Sequence, residues 1–411
     1  MTLDIDFVHA QFPQYSDNLE RVFCSNAGGS YMARQVIELL QRYNEHTRVQ
    51  PYYPFQPSED AGQAMDKARQ GWAQALNIDL TELTIGPSTS MNTYVMAQSI
   101  GAKWNSGDEI IVTNQDHEAN IGVWRRKAEE KGVVIREWEI DPETGLLDLE
   151  DLDQLLNSRT RWLFFTQCSN VIGTVNPVAD IVEKVQALST AKTCVDAVSY
   201  SPHHICDLKA LGVDMYVFSL YKVFGPHQGM LYVNSALAEE LEGQSHYFNQ
   251  HEDSKRYNPA GPQHAQIAGC QGVLDYFYAL HQHHGGASGD TPKQTMLAVH
   301  KLISEQERSL TIPILDYLRE SPKVQLLGKD HCDDGDRAAT IAFKPLKATS
   351  DSVAAVMQKA GIGTENGDFY APRTIQAMGL EQNGGVVRIS LLHYNTQQDV
   401  EKILMGLDQA L

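Results

Sequence analysis

Val217-Phe218-Ser219-Leu220-Tyr221-Lys222-Val223-Phe224-Gly225-Pro226 sets a single lysine just past the end of an apolar run. That run, residues 215–218, is built from strand-favouring residues and closes on a hydroxyl, Ser219. Gly225 and Pro226 then turn the chain into a second apolar run, residues 229–233. Burial at a strand end disfavours the charged form of an ammonium group and lowers its pKa, which is what an amine nucleophile needs. A strand-end lysine can also lay its stem along apolar surface and keep its charge in water. The rest of the chain decides between an imine-forming lysine and that blander role.

Upstream, strand-like runs recur at residues 109–113, 133–138, 161–166 and 193–196. Amphipathic stretches at 90–103, 119–131, 147–156 and 178–188 separate them. Mostly apolar strands alternating with helices predict crossovers and a largely parallel sheet covered on both faces. In such sheets ligands bind beyond the carboxyl ends of the strands. Before residue 83 the reading is an irregular first 30 residues, a helix at 32–43, a Pro- and Tyr-rich loop at 48–60 and a helix at 61–76. After Asn234 come helical stretches at 263–280 and 293–319 around a polar break. Strands near 324–327, 338–343 and 385–391 and helices at 350–360 and 397–411 complete the pattern. The expected architecture is α/β. A large domain over residues 15–290 carries a mostly parallel sheet of the seven-stranded type, and a small C-terminal α/β domain over 291–411 is joined by residues 1–14.

The formal charge of −19 argues against nucleic acid or an anionic membrane as the main partner. No signal pattern opens the chain, and no run approaches the roughly 18 apolar residues of a membrane helix. Six scattered cysteines with no CxxC pair fit a reducing compartment, so a cytoplasmic location is expected.

Residues with chemistry gather at the expected strand ends. Gly86-Pro87-Ser88-Thr89-Ser90 puts three hydroxyls at a helix start, where free backbone N–H groups can hold a phosphate or simply be capped. Asp196 and Asn170 each follow a strand, and His117 follows another by a few residues. Singly these are ordinary turn, cap and surface residues. Together with Ser219 and Lys222 they offer what a flat, cationic, phosphorylated heterocycle needs: an aromatic face, an acid, a donor, an anion pocket and an imine-forming amine.

With these residues in view, the chain resembles the fold-type I pyridoxal-phosphate enzymes of aminotransferase class V, and among them the cysteine desulfurase-like proteins. The resemblance covers nearly the whole chain and is most specific in Cys194-Val195-Asp196-Ala197-Val198 through His203, in Val213-Asp214 through Pro226, and in Arg388-Ile389-Ser390 through Tyr394-Asn395-Thr396. The 26-residue interval from Asp196 to Lys222 also fits. The resemblance implies pyridoxal 5'-phosphate as cofactor, bound to Lys222 as a Schiff base. It implies that Asp196 keeps the pyridine nitrogen protonated, that His117 stacks on the ring and that Asn170 donates to the phenolic oxygen. Ser88, Thr89 and Ser219 would take the phosphate, with Arg388 and Asn26 facing the substrate carboxylate.

Departures from the family pattern bear on the reaction. Gly367-Asp368-Phe369-Tyr370-Ala371 puts Tyr370 where desulfurases carry their nucleophilic cysteine, and Cys332 lies 56 residues before Arg388. Without that thiol there is no acceptor for a persulfide, so a desulfurase working through an enzyme persulfide is not expected. Tyr221 replaces a histidine beside the lysine, where a phenol could still donate to phosphate. Ser199 replaces a glutamine near the cofactor oxygen, Gly261-Pro262 a Gly-Thr pair, and Glu365 an arginine, which makes the pocket mouth more acidic.

The expectation is a homodimeric enzyme acting on an α-amino acid, with its site near the interface. Lys222 serves as base at Cα, and a sulfur-based β-leaving group is eliminated with Tyr370 as candidate acid. Transamination or epimerisation on the same scaffold are the alternatives, and a non-catalytic binding module is the competing class. Two other clusters are read as structural. His281-Gln282-His283-His284 lacks companion carboxylates in sequence and reads as a solvated loop, not a metal site. Asp333-Asp334-Gly335-Asp336 reads as a turn.

Overall fold

The computed structural model describes residues 2–16, 21–249, 252–332, 335–381 and 384–411. Asp333 and Asp334, half of the turn expected above, lie outside the described residues. The central element is a seven-stranded sheet. Numbering from β1 (Val22–Phe23), its strands are β2 (Leu83–Gly86), β3 (Glu109–Thr113), β4 (Val134–Trp138), β5 (Thr160–Thr166), β6 (Lys192–Asp196), β7 (Met215–Ser219) and β8 (Gly229–Val233). They lie in the order β2-β8-β7-β6-β5-β3-β4, and only β8 runs against its neighbours. The short Gly-Pro turn after Lys222 explains that reversal. A two-sided crossover needs a dozen residues or more, and only nine separate β7 from β8, so the two strands pair antiparallel.

Both faces of this sheet are covered, which is why its strands read as unbroken apolar runs. Tyr216 and Phe218 point into one apolar cluster with Leu163, Phe165 and Val195. Met215 and Val217 point into the opposite cluster with Phe164, Cys194 and Leu231. The period-two alternation therefore buries residues on both sides.

A second sheet of four strands orders as β12-β13-β10-β9, from β9 (Val324–Leu327), β10 (Thr340–Pro345), β12 (Glu365–Gly367) and β13 (Val386–Ser390). Between them β11 (Ile362–Gly363) pairs in parallel with β1, which ties the first residues to the C-terminal part. The long helix Pro292–Glu320 runs between the two sheets in sequence.

Two expectations at the start of the chain need correcting. The first 30 residues are not all irregular: Ile5–Gln11 is a helix, capped by Asp4, whose carboxylate accepts from Phe7 N–H at 3.1 Å. Such a seven-residue helix is too short for a periodic signal, and it forms because Val8, and Phe12 after it, are buried in the main core. The helix expected at 61–76 starts earlier, at Gln56, inside the expected loop, because Pro57 sits in the first turn where its missing N–H costs nothing.

Candidate active site

Strand ends build the site. Ser88, Thr89, His117, Asn170, Asp196, Ser199, Ser219, Tyr221 and Lys222 line one cavity of about 170 Å³. Each ends a strand of the central sheet, stands just beyond one, or opens the helix that follows, on the carboxyl side where such sheets bind ligands.

Lys222 sits in a single 3-10 turn, Leu220–Lys222, that begins as β7 ends. Its residue is 5% exposed, and among the described residues its amine has no hydrogen-bond acceptor and no ion-pair partner. Burial, helped by the Arg388 charge, lowers its pKa to about 8. Tyr221 O accepts from Ser30 N–H at 3.1 Å and Ser30 Oγ at 3.2 Å, so the small-residue loop near the N-terminus fixes the lysine turn from outside.

Asp196 ends β6, and its Oδ1 accepts from Val198 N–H at 2.8 Å. Burial pushes its carboxyl up to about 6. A second carboxyl, Asp116, is buried nearby. It accepts from Asn120 Nδ2 at 2.7 Å and from Thr113, and burial lifts it to about 7. His117 caps the helix Glu118–Lys131, its Nδ1 accepting from Ala119 N–H at 3.0 Å. That bond leaves the neutral ring's proton on Nε2, and burial beside Lys222 holds the imidazole down at about 4.

At the hydroxyl end, Ser88 caps the helix Thr89–Gly101, accepting from Met91 N–H at 3.1 Å, and Thr89 Oγ1 lies 2.7 Å from Ser219 Oγ. Gly229 lets this turn sit against β8. A Cβ there would stand 2.3 Å from the Ser88 carbonyl carbon and 2.4 Å from Thr89 N.

Arg388 and Tyr370 lie outside the lining but beside it. Arg388 is 3% exposed and donates from one terminal nitrogen to Asn170 O at 2.9 Å. Its other terminal nitrogen reaches Glu365 Oε2 at only 3.4 Å, and its Nε has no partner among the described residues. The guanidinium lies 3.6 Å above the Phe369 ring. Asn170 donates one amide N–H to Phe369 O at 2.8 Å, and its Oδ1 has no partner among the described residues. Phe369 and Tyr370 both take left-handed backbone, φ 52° and 59°, which costs a non-glycine residue free energy. The Asn170 bond, the Glu118 N–H donated to Tyr370 O at 2.7 Å and the Arg388 contact hold them there. The exposed Tyr370 ring ends up 5.5 Å from that of His117.

Asn26 stands apart from this set. Its Nδ2 donates to Ser390 O at 2.9 Å and its Oδ1 accepts from Tyr394 Oη, so its amide joins the N-terminal loop to the C-terminal segment. Three neighbours of the cavity escape a reading of the sequence. His227 lines it and stacks on Tyr221, ring centroids 4.9 Å apart. The Gly-Pro turn that folds residue 227 back beside residue 221 was the available signal. Asp116 had a signal too, lying one residue before His117. Phe369 had none.

The histidine tract is also corrected. His283 Nε2 lies 2.8 Å from Asp4 Oδ2 and His281 Nε2 2.8 Å from Asp290 Oδ2, so carboxylates accompany it after all, one per ring. Cys332 lines a different cavity, of about 340 Å³, with His203, Glu307 and Arg337.

The aminotransferase class-V family model matches residues 22–403. The chain belongs to the class-V aminotransferase family. Members of this family are pyridoxal-phosphate enzymes, and so is this chain. Over its whole length it is 32% identical to the aminotransferase-like protein FGM3 of Gibberella zeae, covering 99% of that protein. It is 26% identical to the cysteine desulfurase-like protein ustD of Aspergillus flavus, over 99% of this chain and 90% of that one. The fold is that of the cysteine desulfurase CsdA from Escherichia coli, with a TM-score of 0.82, 23% identity and coverage of 100% and 99% of the two chains.

Proposed function

We propose that this chain removes the Cα proton of an α-amino acid and eliminates a sulfur-based group from Cβ, without forming an enzyme persulfide. The observation that carries the reading is the amine of Lys222, buried with no acceptor among the described residues, where the charges of buried Arg388 and Asp196 act on it in opposite directions. The residues fit pyridoxal phosphate. Lys222 would bond it, Asp196 would face its ring nitrogen and His117 would cover its ring. Asn170, with a second amide N–H free to donate beyond its bond to Phe369 O, would meet its phenolic oxygen with Ser199. Ser88, Thr89, Ser219 and Tyr221 would hold its phosphate. When bound, the cofactor supplies an electron sink for the pair left at Cα.

The residues of the chain would do the rest. Arg388 grips the substrate carboxylate with donors that have only long or missing acceptors. Lys222, with its pKa near 8, is neutral in enough molecules at neutral pH to take the Cα proton. The Cβ–S bond then breaks with its electron pair on sulfur, and Tyr370 gives that sulfur a proton. Tyr370 stands at the cavity's edge and five of the six cysteines are buried, which supports a route without a persulfide.

The reading extends to the whole molecule: a cofactor domain over 15–290, a small domain over 291–411, and a cytoplasmic homodimer. Met91 and Tyr94 are exposed on the helix that starts at the Ser88 turn, so a second copy would cover apolar surface beside the cavity. Among the described residues no helix is long and apolar enough to cross a membrane. The test is product analysis with β-thio amino acids. Pyruvate, ammonia and thiol in equal amounts are expected, whereas a pyridoxamine form without pyruvate overturns the elimination in favour of transamination.

A further inference from the structure

Glu365 faces Arg388 directly across the β12–β13 pair, so the two side chains emerge on the same side of the small sheet. Their contact is long, 3.4 Å, and the Glu365 side chain is half exposed while that of Arg388 is buried. Glu365 also closes on the N-terminal loop. A Cβ added to Gly28 would lie 3.6 Å from Glu365 Oε2, and one on Gly29 would lie 3.4 Å from the Tyr221 ring. The loop therefore runs from Glu365 to the neighbour of Lys222, which puts the carboxylate at the mouth of the cavity.

The other charges near this mouth do not neutralise it. Asp368, one strand-end away, adds a second carboxylate, its Oδ1 taken by Tyr370 N–H at 2.9 Å. Arg373 is engaged with Glu118, and the imidazole of His117 is held neutral by burial. Among the described residues Arg388 is the one buried cation paired with Glu365, and its Nε has no partner among them, nor has Asn170 Oδ1. A ligand carboxylate that takes the guanidinium releases Glu365 and leaves two carboxylates side by side. A positive charge on the ligand's side chain restores the balance; a neutral one does not, and a negative one makes it worse.

We propose that Glu365 makes the site selective for amino acids whose side chain carries a positive charge. This rests on the reading of Arg388 as the holder of the substrate carboxylate. Glu365 acts as a gate residue, pairing with Arg388 in the free enzyme and with the side-chain cation in the complex.

The test is a binding measurement on the holoenzyme, following the visible band during titration with arginine or ornithine, with the neutral citrulline or norleucine, and with glutamate. Cationic ligands should bind roughly 10-fold tighter than neutral ones of similar size, between the effect of an exposed and a buried ion pair. Glutamate should bind weakest. In Glu365→Gln the preference should shrink to about twofold or less. Amino acids that shift the band with no preference for cations overturn the selectivity alone, as does a preference that survives Glu365→Gln. If no amino acid shifts the band, the amino-acid reading falls and the selectivity with it.

Discussion

Two lysines of this protein are buried almost equally, and only one is built for chemistry. Lys127 and Lys222 are 7% and 5% exposed. The amine of Lys127 donates to Gln98 Oε1 and Glu130 Oε2, both at 2.9 Å, and its stem packs where a Cβ on Gly101 would fall. The amine of Lys222 has no acceptor among the described residues, and its nearest charges include another cation, Arg388. A buried charge kept for stability is paired. One left unpaired stores a preference for the neutral form, which is useful only if the neutral amine reacts.

The comparison breaks most visibly under exchange of the two lysines. Lys222→Ala should cut turnover by at least about 10³-fold, as loss of a group acting at the reacting atoms does. Lys127→Met should leave turnover within a few-fold and cost about 2 kcal/mol in unfolding free energy, because Gln98 and Glu130 lose a shared partner. Equal effects on both properties would erase the distinction.

The next effect is in pH. In the cofactor-free protein Lys222 titrates near 8 when folded, against 10.5 for a free side chain. A lowered lysine pKa means the unfolded chain binds the proton that the folded one gives up. The penalty is therefore full below pH 8 and is relieved as pH rises to 10.5. Denaturant titrations should show the contribution of this group rising by about 3 kcal/mol over that window, and Lys222→Met should remove the rise. A pH-independent difference between the two proteins would mean that the amine is paired.

Smaller still is the effect at the far end of the cavity. Gly229→Ala drives a methyl into the Ser88–Thr89 backbone. Cofactor affinity, measured by equilibrium dialysis, should fall by about 1–2 kcal/mol while Lys222 keeps its surroundings. Unchanged affinity would take the hydroxyl turn out of the phosphate site.

How far the sequence could be read follows the same division. The strands and the residues at their ends were legible because burial on both faces writes unbroken apolar runs, and turn residues mark where each stops. Asp196, Asn170 and Lys222 stand at those stops, and the structure gathers them in one cavity. Contacts made across long loops left no local trace. The helix Ile5–Gln11 was missed because its stability comes from core residues hundreds of positions away. The carboxylates beside the histidine tract were missed because Asp4 lies 279 residues from His283. The Asn26 amide, expected at the substrate, is taken by Ser390 and Tyr394, a pairing that only the docking of the C-terminal segment creates.

Borohydride reduction followed by peptide mass mapping tests the role of Lys222 most directly. The purified holoenzyme should lose its visible band on reduction and carry one cofactor-sized mass increment, on the peptide containing Lys222. An increment on Lys127 or any other lysine, or a borohydride-fixed increment that persists on the protein in Lys222→Ala, would contradict it.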